Sequence, residues 1–134
     1  MEYGFEYDFG SRRASETRPI PAFLESLKNR AAAWADIQPQ DIVEAVVTEY
    51  PAGAPIRWHR DVPQFEIIFG VSLKSSCRMR FKPYRSKGKL VAITLDPRSI
   101  YSMQGPARWS HQHSIPAVKE LRYSITFRTL RSKT

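Results

Sequence analysis

Arg122-Tyr123-Ser124-Ile125-Thr126-Phe127-Arg128 is the stretch of sequence that says most about the fold. Polar and apolar side chains alternate along it without a break, which is the period of a β-strand with two different faces. One face carries two arginines with two hydroxyl groups between them. That face is either solvated or turned into a barrel, where a bound dicarboxylic acid would have to supply the missing negative charges. The pattern predicts a strand over about residues 121–130 and leaves both orientations open.

The segments before this strand also have the character of strands. Cys77, Met79 and Phe81 alternate with basic residues, which predicts a strand with one buried face. Turn residues separate it from its neighbours, as in the Arg85-Ser86-Lys87-Gly88 hairpin. Further strands are predicted over residues 42–50, 56–59, 67–73, 90–95 and 100–103. Seven or eight short strands divided by such turns favour a sandwich or barrel of the jelly-roll type.

The N-terminal part contains the only predicted helix. Aromatic residues at a period of two predict a half-buried strand in the first dozen residues, and residues 10–18 are predicted to be a loop. A helix is predicted over residues 22–35, with Pro21 suited to its start and Pro39 as its end. Its helically spaced apolar residues are Phe23, Leu24, Leu27, Ala31 and Trp34. We therefore predict a mainly β (α+β) protein, a double-stranded β-helix or jelly roll with one N-terminal helix packed on it.

Length and composition indicate an ordinary globular chain. With 134 residues, 42% of them hydrophobic, the sequence is long enough for one domain, predicted over residues 1–134. It has no apolar run of the roughly 18 residues that span a membrane. The single cysteine excludes an internal disulfide, so we expect a cytoplasmic protein. We also expect the protein to be a monomer. The net charge of +8 favours nucleic acid as a partner, although such a charge can also serve solubility alone.

His59-Arg60-Asp61 is a possible metal-binding motif. On an extended segment, side chains two residues apart point to the same side, so His59 and Asp61 can reach one ion. Two imidazoles and one carboxylate are the ligands of non-haem iron(II) oxygenases, and they leave positions open for substrates. The third ligand would be His111 or His113, the only other histidines, and spacing does not choose between them. Taken alone the motif is weak, because a surface histidine often stands beside a turn aspartate.

Several segments, in this order, resemble the AlkB-type 2-oxoglutarate-dependent dioxygenases. They are Tyr50-Pro51-Ala52-Gly53-Ala54, Trp58-His59-Arg60-Asp61, His113-Ser114-Ile115-Pro116 and residues 122–128. The resemblance covers about residues 3–130. It implies a jelly-roll fold, the cofactors Fe(II), 2-oxoglutarate and O2, and a cavity that the polar face of the last strand enters.

The resemblance also implies roles for individual residues. Iron would be held by His59, Asp61 and His113. The residues that bind 2-oxoglutarate would be Tyr50, Arg122, Ser124 and Arg128. Tyr50 and Arg122 would hold its far carboxylate, and Arg128 would lie nearer the metal-bound end and steady Asp61. Ser124 and Thr48 each stand where the family often has asparagine, and His111 would have a supporting or pocket role.

The substrate is predicted less sharply. The resemblance implies oxidative demethylation of alkylated nucleobases in DNA or RNA. The chain begins almost at the first strand, so we expect the family's N-terminal nucleotide-recognition lid to be largely absent. The possible substrate-side residues are Phe5, Tyr7, Trp58, Arg80 and Arg85. Three alternatives remain open: an oxygenase acting on a protein or small molecule, a weakly catalytic nucleic-acid-binding module, and a cupin-like metal protein that does not use 2-oxoglutarate.

Overall fold

The structure, a computed structural model, describes residues 1–8, 13–16 and 19–131, with side chains described for residues 1–4 and 19–131. The described strands are β1 (Glu2–Asp8), β2 (Arg13–Glu16), β3 (Ile42–Tyr50), β4 (Ile56–His59), β5 (Phe65–Leu73), β6 (Cys77–Pro83), β7 (Val91–Leu95), β8 (Ser99–Met103), β9 (His111–Ile115) and β10 (Arg122–Leu130). The helices are α1 (Ala22–Ala35) and α2 (Pro106–Trp109), and Pro39–Asp41 forms one 3-10 turn. None of the described helices is long and apolar enough to cross a membrane.

These strands form two antiparallel sheets. Within the described ranges, the larger sheet has the order β2-β1-β3-β10-β5-β8 and the smaller one the order β4-β9-β6-β7. Strands that are distant in sequence are therefore neighbours, and the C-terminal β10 lies between β3 and β5. The predicted jelly roll, with an N-terminal helix packed on it, is confirmed.

The orientation of β10 determines which of its side chains line the space between the two sheets. Its apolar face packs beneath α1, where Phe127 is fully buried in a cluster with Leu24 and Ala32. Its polar face points between the two sheets, and Arg122 and Ser124 on that face are buried. The alternative in which this face is solvated is therefore wrong, because the helix already covers the opposite side of the sheet.

Two strands were missed by the sequence patterns. Residues 13–16 were expected to be part of a loop but form β2, which pairs with β1 at the edge of the sheet. The segment 111–115, without apolar alternation, forms β9 between β4 and β6. Both are strands because of the partners they pair with, since the sequences RASE and HQHSI have little intrinsic preference for one.

The helix α1 has the predicted limits but ends and packs differently. It stops at Asp36, which takes a left-handed conformation with φ of 56° and donates its backbone N–H to the last turn. Pro39 begins the 3-10 turn instead of ending the helix. Phe23 and Trp34 fit the helical spacing but are 71% and 53% exposed. The buried positions of the helix are mostly small, because it lies close to the sheet through Ala31 and Ala32.

A buried arginine in α2 holds the segment that follows Asp61. Arg108 is 3% exposed, and its Nη2 donates to the carbonyls of Val62 and Phe65 at 2.7 and 2.8 Å. Replacing Arg108 with methionine would leave these carbonyls without this donor, which costs about 1–3 kcal/mol for each buried group. Removing a buried guanidinium whose Nε has no hydrogen-bond partner offsets part of this cost, so we expect the free energy of unfolding, measured with urea, to fall by about 1 kcal/mol.

The control for this prediction is Arg60→Met. Arg60 is exposed and makes one such bond, to the carbonyl of Trp109. Arg60→Met should change the free energy of unfolding by no more than about 0.5 kcal/mol. Equal effects of the two substitutions would contradict the role given to Arg108.

Candidate metal centre and anion cavity

A cavity of about 490 Å³ lies between the two sheets. Both sheets contribute inward-facing residues to it, and its apolar wall includes Ile68, Met79 and Ile115. The polar and charged residues that line it are Glu2, Glu44, Thr48, Tyr50, His59, Arg60, Asp61, Tyr101, His113, Arg122, Ser124, Thr126 and Arg128. The concentration of charged groups in a space of this size indicates a site for polar ligands.

Three of these residues form the only group in the described ranges with the composition and spacing of a metal site. His59 ends β4 and lies opposite His113 of β9 in the strand ladder, with ring centroids 4.2 Å apart. Asp61 follows in the next loop, and its Oδ1 lies 3.7 Å from Nε2 of His59 and 3.8 Å from Nε2 of His113. The ligand atoms of all three lie within 4.8 Å of one another.

The protonation of these groups suits metal binding. Nδ1 of His59 lies 2.8 Å from the carbonyl oxygen of Arg57, so a proton there leaves the lone pair of Nε2 free. Burial, with the neighbouring His59, lowers the pKa of His113 to about 4, so this ring is neutral at pH 7. Burial opposes the ionisation of Asp61, but Arg128 outweighs it and holds the pKa of Asp61 below its usual range. Two imidazoles and one carboxylate fit iron(II).

Arg122 is a buried cation without a counter-ion in the described part of the chain. It is 1% exposed, and its Nε donates to Oγ of Ser72 at 3.0 Å. The ion pairs among the described residues do not include it. The ring of Tyr50 lies 5.3 Å from the guanidinium carbon, and Ser124 is on the same face of β10. Since an unpaired buried charge is costly, this end of the cavity is suited to an anion.

The second arginine of β10 is already paired. Nε of Arg128 donates to Oδ2 of Asp61 at 2.8 Å, and Nη1 donates to Oε1 of Glu44 at 2.8 Å. The expectation that a bound dicarboxylic acid would neutralise both arginines is therefore too simple. Among the residues whose side chains are described, Arg122 has no carboxylate partner, whereas two carboxylates of the protein itself share Arg128.

Other predicted site residues lie outside this cavity. Trp58 and Arg80 lie beside each other away from it, with Arg80 bonded to Ser114. Arg85 is exposed and lies over the ring of Tyr84. His111 does not line the cavity, and its Nδ1 lies 3.0 Å from the carbonyl oxygen of Pro106. Thr48 does line the cavity, opposite Ser124 in the ladder, while the side chains of Phe5 and Tyr7 lie outside the described ones.

The sequence patterns also missed residues of the cavity. Glu44 is 3% exposed and lies on the inward face of β3, the same face as Thr48 and Tyr50. An acidic residue on the same face as Thr48 and Tyr50 was a usable signal. Tyr101 of β8 packs against Gly70 and also lines the cavity, and burial raises its pKa to about 12. Nothing in the sequence separates Tyr101 from an ordinary core aromatic.

The burial of Glu44 predicts a dependence of stability on pH. Burial raises the pKa of Glu44 from 4.5 to about 7, against the attraction of Arg128. The folded state thus holds the proton more tightly than the unfolded state, so stability falls as pH rises between these values. In the metal-free protein, Glu44→Gln should raise the free energy of unfolding at pH 8 by about 3 kcal/mol. At pH 4 the gain should vanish, and an equal gain at both pH values in urea unfolding would contradict this.

A jelly roll whose cavity combines a His-Asp-His cluster with a buried arginine that has no carboxylate partner among the described residues is suited to bind a metal ion and an anion together. The family model of the 2OG-Fe(II) oxygenase superfamily matches residues 2–128, and the chain belongs to this superfamily. The family consists of 2-oxoglutarate-dependent dioxygenases that use Fe(II), 2-oxoglutarate and O2. The AlkB-type resemblance of the sequence motifs is confirmed at the level of family and fold.

Individual relatives agree with this assignment. "Uncharacterized protein L905" of Acanthamoeba polyphaga mimivirus is 33% identical over 129 residues, which are 83% of this chain and 59% of that protein. "Alkylated DNA repair protein ALKBH8 homolog" of Arabidopsis thaliana is 27% identical over 141 residues, 87% of this chain and 41% of that protein. The chain thus spans about three fifths and two fifths of their lengths. The structure of OsALKBH1 superposes with a TM-score of 0.75 at 16% identity, covering 96% of this chain and 76% of that one.

Proposed function

We propose that this chain uses Fe(II), 2-oxoglutarate and O2 to remove methyl groups oxidatively from alkylated nucleobases in DNA or RNA. The observation that carries the chemistry is one cavity that contains both the His59-Asp61-His113 cluster and the unpaired cation of Arg122. A metal cluster alone would fit many metalloproteins. The buried arginine adds the requirement for an anionic co-substrate, which argues against a cupin-like protein that does not use 2-oxoglutarate.

The residues have the following roles in this proposal. His59, Asp61 and His113 hold the iron, which when bound with 2-oxoglutarate and O2 supplies the oxidising chemistry. Arg122 binds the far carboxylate of 2-oxoglutarate, with Tyr50 and Ser124 beside it. Hydrogen bonds at this end are available because Arg122 uses only Nε for Ser72. Thr48 supports the same wall of the cavity, and Arg128 orients Asp61.

The choice of nucleic acid rests on charge and on a relative. The net charge of +8 favours a polyanion, and the Arabidopsis relative carries the name of an alkylated DNA repair protein. Arg60 lines the cavity and lies 3.8 Å over the ring of Tyr84, so a cation and an aromatic face stand together beside it. The monomeric state and the cytoplasmic location remain predictions of the sequence.

Product analysis tests this proposal in two stages. Succinate release that requires both Fe(II) and 2-oxoglutarate tests the chemistry, and its absence would overturn the oxygenase assignment. Formaldehyde release from methylated single-stranded DNA or RNA, with unmethylated strands as control, tests the substrate. Release only from methylated peptides or small molecules would overturn the nucleobase assignment and leave the chemistry intact. Salt-sensitive oligonucleotide binding without any turnover would instead favour a binding module.

A further inference from the structure

The guanidinium of Arg128 lies between two carboxylates. Its Nε bonds to Oδ2 of Asp61, and its Nη1 bonds to Oε1 of Glu44 and, at 3.1 Å, to Oγ1 of Thr126. The two oxygens of Asp61 therefore face different groups: Oδ2 faces Arg128, and Oδ1 faces His59 and His113. One oxygen of Asp61 is held by the protein and the other is directed at the position of the metal.

The backbone fixes the relative positions of Glu44 and Arg128. The two residues are direct partners in the ladder between β3 and β10, where opposite charges face each other across neighbouring strands. Immediately after Arg128 the register of β10 shifts against both of its neighbours. An irregularity of this kind re-aims the adjacent side chain. Glu44 thus holds Arg128 from a rigid strand, whereas Asp61 comes from a loop.

Stability does not explain the presence of Glu44. The side chain is 3% exposed, and the desolvation of its carboxylate outweighs the attraction of Arg128. Replacing a whole buried ion pair with apolar residues of similar volume is often neutral or stabilising, so a buried pair is weak evidence for a role in stability. A charge retained here at a cost to stability therefore points to a geometric role.

The geometry of the guanidinium group suggests what that role is. The guanidinium group is planar and rigid. With a single carboxylate it frequently forms two parallel hydrogen bonds, one to each carboxylate oxygen. If Arg128 turned in this way onto Asp61, it would occupy the oxygen that the metal needs. Glu44 and Thr126 hold Nη1, so Arg128 reaches Asp61 through Nε alone.

We infer that Glu44 is a positioning residue for the metal site, which anchors Arg128 so that Oδ1 of Asp61 stays available to the ion. This inference rests on the proposed metal site. It concerns affinity for the metal and makes no demand on the substrate. Glu44 acts through Arg128. Among the described contacts, none joins Glu44 to the three proposed metal ligands or to Arg122 at the other end of the cavity.

Cobalt(II) binding to the metal-free protein, followed by its visible absorption, tests this inference. Glu44→Leu, which fills the space but accepts no hydrogen bond, should weaken binding by about tenfold, as loss of a group that orients a ligand does. Glu44→Gln keeps an acceptor for Nη1 and should restore most of the affinity. The matched control is Glu49→Leu, which removes an exposed glutamate of the same strand that accepts a bond from Tyr123 of β10.

The possible results separate the inference from the function it rests on. Cobalt binding by Glu44→Leu as tight as that of the unchanged protein, or a loss equal to that of Glu49→Leu, would overturn the positioning role alone. Failure of the unchanged protein to bind cobalt would overturn the metal site as well. Urea unfolding of each variant shows whether lost affinity reflects lost folding. If Glu44→Leu does not fold, Glu44→Ala gives the same comparison with a smaller side chain.

Discussion

Replacing His113 with alanine should lower iron-dependent succinate release by more than about 100-fold. The loss should exceed that caused by removing a group that only orients a metal ligand, which is at most about 100-fold. In the proposed metal site His113 supplies one of three ligand atoms, and its ring is buried and neutral at pH 7. With two ligands left, the site can no longer occupy one face of an octahedron. Succinate release at saturating 2-oxoglutarate and cobalt(II) titration of the same protein measure the loss.

His111→Ala is the matched control for this substitution. His111 is on the same strand and two residues away, but it does not line the cavity and bonds to the carbonyl of Pro106. We expect metal binding and succinate release close to those of the unchanged protein. The reverse result, with His111 essential and His113 dispensable, would contradict the assignment of the third ligand.

Replacing Arg122 with methionine should raise the KM for 2-oxoglutarate by about 30-fold or more. Truncating one partner of a buried charge pair costs about 2–5 kcal/mol in affinity, and each 1.4 kcal/mol is a factor of ten. The same substitution removes an unpaired buried cation, so the protein without ligand should be as stable as before or more stable. Initial rates of succinate release at increasing 2-oxoglutarate concentration, together with urea unfolding, measure both effects.

Arg78→Met is the control for Arg122→Met. It removes the same charge from an exposed position on β6, outside the cavity. The KM for 2-oxoglutarate should then be unchanged. A similar rise in KM for both variants would mean that overall charge, and not a carboxylate held by Arg122, governs binding. Unchanged cobalt(II) affinity in Arg122→Met would show that the anion end and the metal end of the cavity are separate.

Most strand positions, and the three residues of the candidate metal cluster, were predicted from the sequence. Alternation along residues 122–128 predicted β10, and the His59-x-Asp61 spacing predicted two ligands on one side of the chain. Period and spacing are local properties of an extended chain, so they are visible without any tertiary contact. Motif resemblance went further and selected His113 over His111, which local geometry could not do.

Only the tertiary structure decided which groups face one another. The side of β10 covered by α1, and hence the inward position of Arg122, depends on packing between segments about 100 residues apart. The same holds for the pairing of Arg128 with Glu44, since cross-strand partners are set by sheet register and not by sequence distance. The polar strand β9 formed because β4 and β6 pair with it, and Trp58 of β4 and Arg80 of β6 lie outside the cavity. The sequence determined the chemistry that the chain can offer, and long-range pairing determined which of its charges are left without a partner.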